Sequence, residues 1–298
     1  MKLVISIVNA YFRSQRRRQL RNIKRRVNVV GERILFSRSD AKAVELYRYL
    51  PSAPDKKTMP LVINIHGGAW IRGHALVLDS QSQMISDDLG ALVLSVNYKK
   101  VDQEPFPYAQ NEIYSVVRHY IDNADSLGID KNRVVLIGYS AGAHLAACVA
   151  QMLRDDGISL FYQVLCYPFT DFTYGGGSQK EIKDELDKIK LMDKVFFTKI
   201  PRDNPLASPG INPSLSGLPK TIITTCGKDT LRIQGEEYAR RLREAGIEVT
   251  LINDEDAIHG YLECNYPETE EDGSKSPLQE KLCRNMMKAI FEKIKESF

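Results

Sequence analysis

Val134-Val135-Leu136-Ile137-Gly138-Tyr139-Ser140-Ala141-Gly142-Ala143-His144-Leu145-Ala146-Ala147-Cys148-Val149-Ala150 is the stretch that decides the fold. An apolar strand runs into Gly-x-Ser-x-Gly, and a small-residue helical pattern follows. A strand that turns into a helix within one residue crowds the side chains beside the turn, so positions 138 and 142 call for glycine. The turn lifts the Ser140 hydroxyl above the sheet edge. A helix starting just after Ser140 leaves its first N–H groups free and brings the positive helix end close. Ser140 is therefore the candidate nucleophile. Taken alone, the motif also fits an ordinary strand-to-helix turn that happens to hold a hydroxyl.

Working outward, short apolar runs alternate with longer amphipathic ones. Residues 61–65, 91–96, 133–137, 160–166, 220–226 and 248–252 read as strands. Most are rich in Val, Ile and Leu without clean alternation, as in strands covered on both faces. Helical patterns lie between them near 77–89, 109–127, 141–153 and 234–245. This order predicts a mainly parallel sheet flanked by helices, an α/β class of fold, in one domain spanning residues 1–298. The last helix has a legible start: Ser276 at the N-cap, Pro277 at the first helical position and Gln279 at the third, which together form a capping box. Two regions break the alternation. Residues 1–45 read as a basic helix with strands near 27–36 and 43–50. Residues 172–218 hold Gly175-Gly176-Gly177, a helix near 179–191 and several prolines. Both are expected to contribute to a cap over the strand ends, where loops have room to grow.

A second motif completes the chemistry. The strand 61–65 ends in His66-Gly67-Gly68-Ala69-Trp70. Consecutive glycines let backbone N–H groups converge without a Cβ in the way. The amides of Gly67, Gly68 and Ala141 are the expected donors to a tetrahedral oxyanion, and one such donor is worth roughly 2.7–4 kcal/mol in a barrier. Ser140 also needs a base, and the chain has 5 histidines. His66 belongs to the glycine turn as a brace, His74 to the loop beyond it, and His119 to the middle of a helix. His144, one turn past Ser140, is directed away from it. His259, after the last strand and before the last helix, remains as general base. Asp229, on the loop after strand 220–226, is the expected acid that fixes the imidazole; Asp254 and Asp256 compete less well, because they would have to fold back within one loop. Trp70 and Tyr139 are candidate pocket residues, with simple packing the equal alternative for Trp70.

Together these segments resemble the hormone-sensitive-lipase branch of the α/β-hydrolase esterases and its carbohydrate acetyl-esterase relatives. The likeness runs from about residue 60 to 262, on HGGAW at 66–70, NYKKVDQEPFPYA at 97–109, GYSAG at 138–142, GKDTL at 227–231 and IHGY at 258–261. It implies the α/β-hydrolase fold, a Ser140-Asp229-His259 triad, an oxyanion hole at Gly67, Gly68 and Ala141, and neither a metal nor an organic cofactor. It also implies an N-terminal helical cap and a small-molecule ester as substrate, with short acyl groups, acetyl among them. Three positions depart from the family pattern. Ala69 replaces a third glycine, Tyr139 replaces an acidic residue before the nucleophile, and Tyr98–Glu104 keeps only the Pro105-Phe106-Pro107 tail of its usual stretch. The expected function is carboxylic-ester hydrolysis; an amidase or peptidase on the same triad, a silent small-molecule-binding protein and a membrane-surface interaction protein are the alternatives.

Bulk properties narrow the field. Hydrophobic residues make up 43% and charged residues 27%, ordinary for a soluble globular chain. A net charge of +3 gives no reason to expect a nucleic-acid partner. The 5 cysteines are scattered, with no C-x-x-C pair. That pattern fits a reducing, cytoplasmic setting. Cys148, Cys166 and Cys226 sit in apolar runs and read as small core residues. Residues 3–12 are apolar but too few to span a bilayer. Of residues 13–26, 8 are Lys or Arg. This run is either a solvated helix covering the protein body or a weak contact with an anionic membrane surface.

Overall fold

The computed structural model describes residues 2–39, 42–53, 58–173, 195–269 and 275–297. Eight strands form one sheet in the order β1-β2-β4-β3-β5-β6-β7-β8. They are β1 (Glu32–Phe36), β2 (Val44–Tyr49), β3 (Met59–Ile65), β4 (Leu92–Asn97), β5 (Ile129–Tyr139), β6 (Tyr162–Cys166), β7 (Lys220–Lys228) and β8 (Val249–Ile258). The pairings β1–β2 and β2–β4 are antiparallel. All others are parallel, as the continuous apolar runs predict.

Both faces of the sheet are buried. Leu61, Ile63, Val134 and Leu136 belong to one core cluster, while their alternating neighbours Val62, Val135 and Ile137 belong to the other. The period-2 geometry of a strand sends successive side chains to opposite faces. Among the helices, α2 (Asp79–Leu89), α3 (Tyr108–Asp122), α4 (Ala124–Leu127), α5 (Ala141–Asp155), α6 (Arg232–Glu244) and α8 (Pro277–Lys295) follow the sequence pattern closely. The single pattern over 109–127 is two helices parted at Asn123. Only half of the capping box at the start of α8 is formed: the Ser276 hydroxyl accepts the Gln279 N–H at 3.2 Å, but the Gln279 side chain turns to Ile258 and Asp256 instead of back to Ser276.

The basic N-terminal run is α1 (Lys2–Arg26). It lies on the protein body. Ile23 is buried, and Arg16 makes paired hydrogen bonds of 2.8 and 2.7 Å to Asp102. Among the described residues no helix is long and apolar enough to cross a membrane. In the second irregular region, Gly175–Gly177 and the helix expected near 179–191 lie outside the described residues. The described part packs onto α5 and the β6 loop: the Gly210 N–H donates to the Thr170 carbonyl at 2.8 Å, and Phe172 N–H donates to the Ser208 hydroxyl at 2.8 Å. Cys148, Cys166 and Cys226 are buried free thiols, as their apolar surroundings predict.

Candidate active site

The C-terminal ends of β5, β7 and β8 share one edge of the sheet, because these strands run parallel. Ser140 stands at the end of β5 with φ 52° and ψ −115°, a backbone state costly for any residue with a Cβ. The flanking glycines permit it. A Cβ on Gly138 would strike the Gly142 carbonyl oxygen, and one on Gly142 would strike that of Ile65. The Ser140 N–H is held by the Cys166 carbonyl at 2.9 Å, which ties the turn to β6.

His259 follows β8. Its Nε2 is 2.9 Å from Ser140 Oγ and its Nδ1 is 2.6 Å from Asp229 Oδ2. An ionised carboxylate only accepts, so Nδ1 carries the proton and Nε2 faces the serine hydroxyl as acceptor. Asp229 follows β7 and is itself fixed, its Oδ1 accepting the Leu231 N–H at 2.9 Å. The Asp229 side chain is 5% exposed and that of His259 39%, so the pair runs from protein interior toward solvent. The competing acids are occupied elsewhere. Asp256 pairs with Lys228 at 3.2 Å, and Asp254 accepts the Asp256 N–H at 3.3 Å.

Of the other histidines, His66, His74 and His144 fall where the sequence puts them, while His119 sits in the last turn of α3 and not mid-helix. His66 is buried under the glycine turn, with Nδ1 2.6 Å from the Gly67 carbonyl and Nε2 3.1 Å from Lys100 Nζ. Burial, with the Lys100 charge alongside, holds its pKa well below the ordinary histidine range. Burial likewise depresses the Lys100 ammonium. His74 caps the 3₁₀ turn Ala75–Leu78, accepting the Leu76 N–H at 3.2 Å. His119 is exposed against Phe36. His144 points away from Ser140, held by the Trp70 indole N–H at 3.1 Å and by the Ala207 carbonyl at 2.7 Å.

The glycine turn departs from expectation at one atom. The Gly67 N–H is not free: it donates to Glu263 Oε1 at 2.6 Å. The Gly68 and Ala141 N–H groups donate to no group among the described residues. Gly68 has φ 113°, a conformation open to glycine, while Ala69 takes φ 50° in place of the family's third glycine. Glu263 was not singled out in the sequence. It stands four residues after His259, on the short helix α7 (Tyr261–Cys264). His259 lies in the turn before this helix, so no helical spacing couples the two, and Glu263 carries no local sequence signal. Burial raises the Glu263 pKa to about 7, partly offset by the Gly67 N–H.

The two pocket candidates are corrected. Trp70 is 4% exposed and packs among Phe106, Phe169, Phe172 and Phe196, so it is a core residue. Its apolar ring is more stable among these aromatics than in a wet cleft. Tyr139 is fully buried, its ring 6.4 Å from that of Tyr167. Tyr167 in turn lies 4.9 Å from the His259 ring, so Tyr139 is packing behind the site and not a lining of an open pocket.

A strained serine on a β5–α5 elbow, joined to a histidine and an aspartate at one sheet edge, defines an α/β-hydrolase-type site. A model of the alpha/beta hydrolase fold family matches residues 62–263. The chain belongs to that family, in its hormone-sensitive-lipase-like branch of esterases. It is 35% identical over 217 residues to an arylesterase of Saccharolobus solfataricus, covering 70% of this chain and 71% of that one. It is 32% identical over 220 residues to carboxylesterase NlhH of Mycobacterium tuberculosis, covering 70% and 68%. An esterase of Pyrobaculum calidifontis has a solved structure that superposes with TM-score 0.78 at 27% identity, over 98% of this chain and 93% of that one.

Proposed function

We propose that this carboxylesterase cleaves short-acyl esters through Ser140, His259 and Asp229 by way of an acyl-enzyme. The hydrogen-bonded line Ser140–His259–Asp229 at 2.9 and 2.6 Å is the observation that carries the reading. Ser140 Oγ attacks the ester carbonyl carbon while its proton passes to His259 Nε2. The carbonyl oxygen becomes an oxyanion facing the Gly68 and Ala141 N–H groups. Collapse breaks the bond to the alkoxy oxygen, which takes the proton from His259 and leaves as the alcohol. Water then loses a proton to His259 as its oxygen adds to the acyl carbon. The second collapse frees the acid and restores Ser140. Asp229 holds the imidazole tautomer and offsets its positive charge in both halves. The short-acyl preference rests on the resemblance to carbohydrate acetyl esterases.

A series of p-nitrophenyl esters of rising chain length tests the reading. Turnover should peak at the shortest acyl groups, and Ser140→Ala should lower kcat by at least ~10⁴-fold. Equal turnover by wild type and Ser140→Ala would refute the mechanism.

A further inference from the structure

Between α1 and the turn at residues 67–73 lies a cavity of about 460 Å³. Gly67 and Gly68 form part of its wall. Gly68, whose N–H is one of the proposed oxyanion donors, is in that wall, so the cavity adjoins the glycine turn beside the reacting centre.

Arg18, on α1, and Arg72, four residues past Gly68, both line the cavity with exposed side chains. Neither makes an ion pair or hydrogen bond among the described residues. Both are tied to the glycine turn. The Ile71 and Arg72 N–H groups donate to the Gly68 carbonyl at 3.2 and 2.8 Å. Arg16, locked on Asp102, also donates to the Ile71 carbonyl at 2.5 Å, which stitches α1 to the same turn. The acids in this wall are already engaged. Glu263 takes the Gly67 N–H at 2.6 Å, and Glu268 takes the Ser80 N–H and hydroxyl at 2.9 and 2.8 Å. Ile23 and Val77 are the only aliphatic side chains among the described lining residues, so a long hydrocarbon chain finds little apolar wall.

We infer that this cavity is a subsite for an anionic group, and that the preferred substrates are short esters bearing a carboxylate or phosphate on the part lying along it. The inference rests on the reading of Ser140 as nucleophile. Guanidiniums without a partner among the described residues match such anions in charge and, through their fork of N–H donors, in shape. A neutral ester of the same size gains neither.

The test compares matched esters, each rate normalised to that of hydroxide. 4-Acetoxybenzoate and 4-acetoxyphenyl phosphate are set against methyl 4-acetoxybenzoate, which places the charge on the leaving group. Monomethyl succinate set against dimethyl succinate places it on the acyl part. The first two anions distinguish carboxylate from phosphate. In wild type, the anionic member of at least one pair should be favoured about tenfold in kcat/KM, the scale of one or two charge-assisted hydrogen bonds. The ratio should fall toward one in the Arg18→Gln/Arg72→Gln double variant, drop further in Arg72→Glu, and shrink at high salt as exposed charges are screened. Arg284→Gln, on α8, should keep the wild-type ratio. Ser140-dependent cleavage with no preference for any anionic member would overturn the inference and leave the esterase reading standing. So would an equal loss of preference in Arg284→Gln, which would trace it to overall charge. An absence of Ser140-dependent cleavage for every ester would overturn the esterase reading and this inference with it.

Discussion

Replacing Glu263 by glutamine removes a charge while keeping an acceptor for the Gly67 N–H, which lies 2.6 Å from the carboxylate. Burial raises the Glu263 pKa from 4.5 to about 7. The native protein therefore holds this proton at pH values where the unfolded chain has lost it. The stabilisation is complete below the unfolded value, near 4.5, and is lost as pH rises through about 7. That gap corresponds to at most about 3 kcal/mol, and water reaching the carboxylate from the cavity lowers it. Urea unfolding of wild type and Glu263→Gln across this range measures the difference directly. Glutamine has no proton to lose, so the variant should gain on wild type by about 2–3 kcal/mol between the two ends. Tyr98, Tyr139, Tyr167, Cys166 and His259 interact electrostatically with Glu263 and are present in both proteins. A stability difference that does not change with pH would refute the assignment of a raised pKa to this carboxylate. Glu263→Ala makes a separate point: it leaves the Gly67 N–H without its acceptor and should be less stable than Glu263→Gln by about 1–3 kcal/mol at any pH.

Gly142→Ala should abolish soluble folded protein or activity, because the added Cβ strikes the Ile65 carbonyl oxygen; purified variant with normal turnover would contradict this. Arg16→Ala leaves the fully buried Asp102 carboxylate unpaired and should lower stability by about 3–5 kcal/mol, read as a fall in Tm. Trp70→Ala should cost about 3–5 kcal/mol through the cavity left among the phenylalanines, whereas an unchanged Tm would favour an open pocket position. Asp229→Asn should lower kcat by about 10⁴-fold with little change in Tm, since the imidazole loses its tautomer while the fold keeps its packing.

Much of this architecture is legible in the sequence because the signals are local. Apolar runs mark β3 to β7, and the strand–Gly-x-Ser-x-Gly–helix order marks the elbow. The boundaries that shift are set by distant partners. The strand expected to begin at residue 27 begins at Glu32, because the Val30 and Gly31 N–H groups turn aside to the Asp79 carboxylate at 2.9 and 3.1 Å. The strand expected to end at 252 continues to Ile258, because β7 keeps pairing with it beyond a bulge. Trp70 shows the same limit: the ring that could have lined a pocket is enclosed by phenylalanines up to 126 residues away in the chain, a neighbourhood no local pattern contains.

The Gly67 amide carries that lesson into the chemistry. Its glycine turn reads from sequence as a row of spare donors, yet one donor is spent on a carboxylate 196 residues later. The position before the nucleophile, acidic in the family pattern, is Tyr139, whose side chain is fully buried beside Tyr167. A carboxylate reaches the glycine turn all the same, from α7, four residues beyond His259. The same short helix thus follows the histidine that meets Ser140 and carries the carboxylate that meets Gly67. A shift of this helix would move the base and the glycine turn together. The two halves of the site are joined here by a hydrogen bond, and the remaining Gly68 and Ala141 donors are what that bond leaves for an oxyanion.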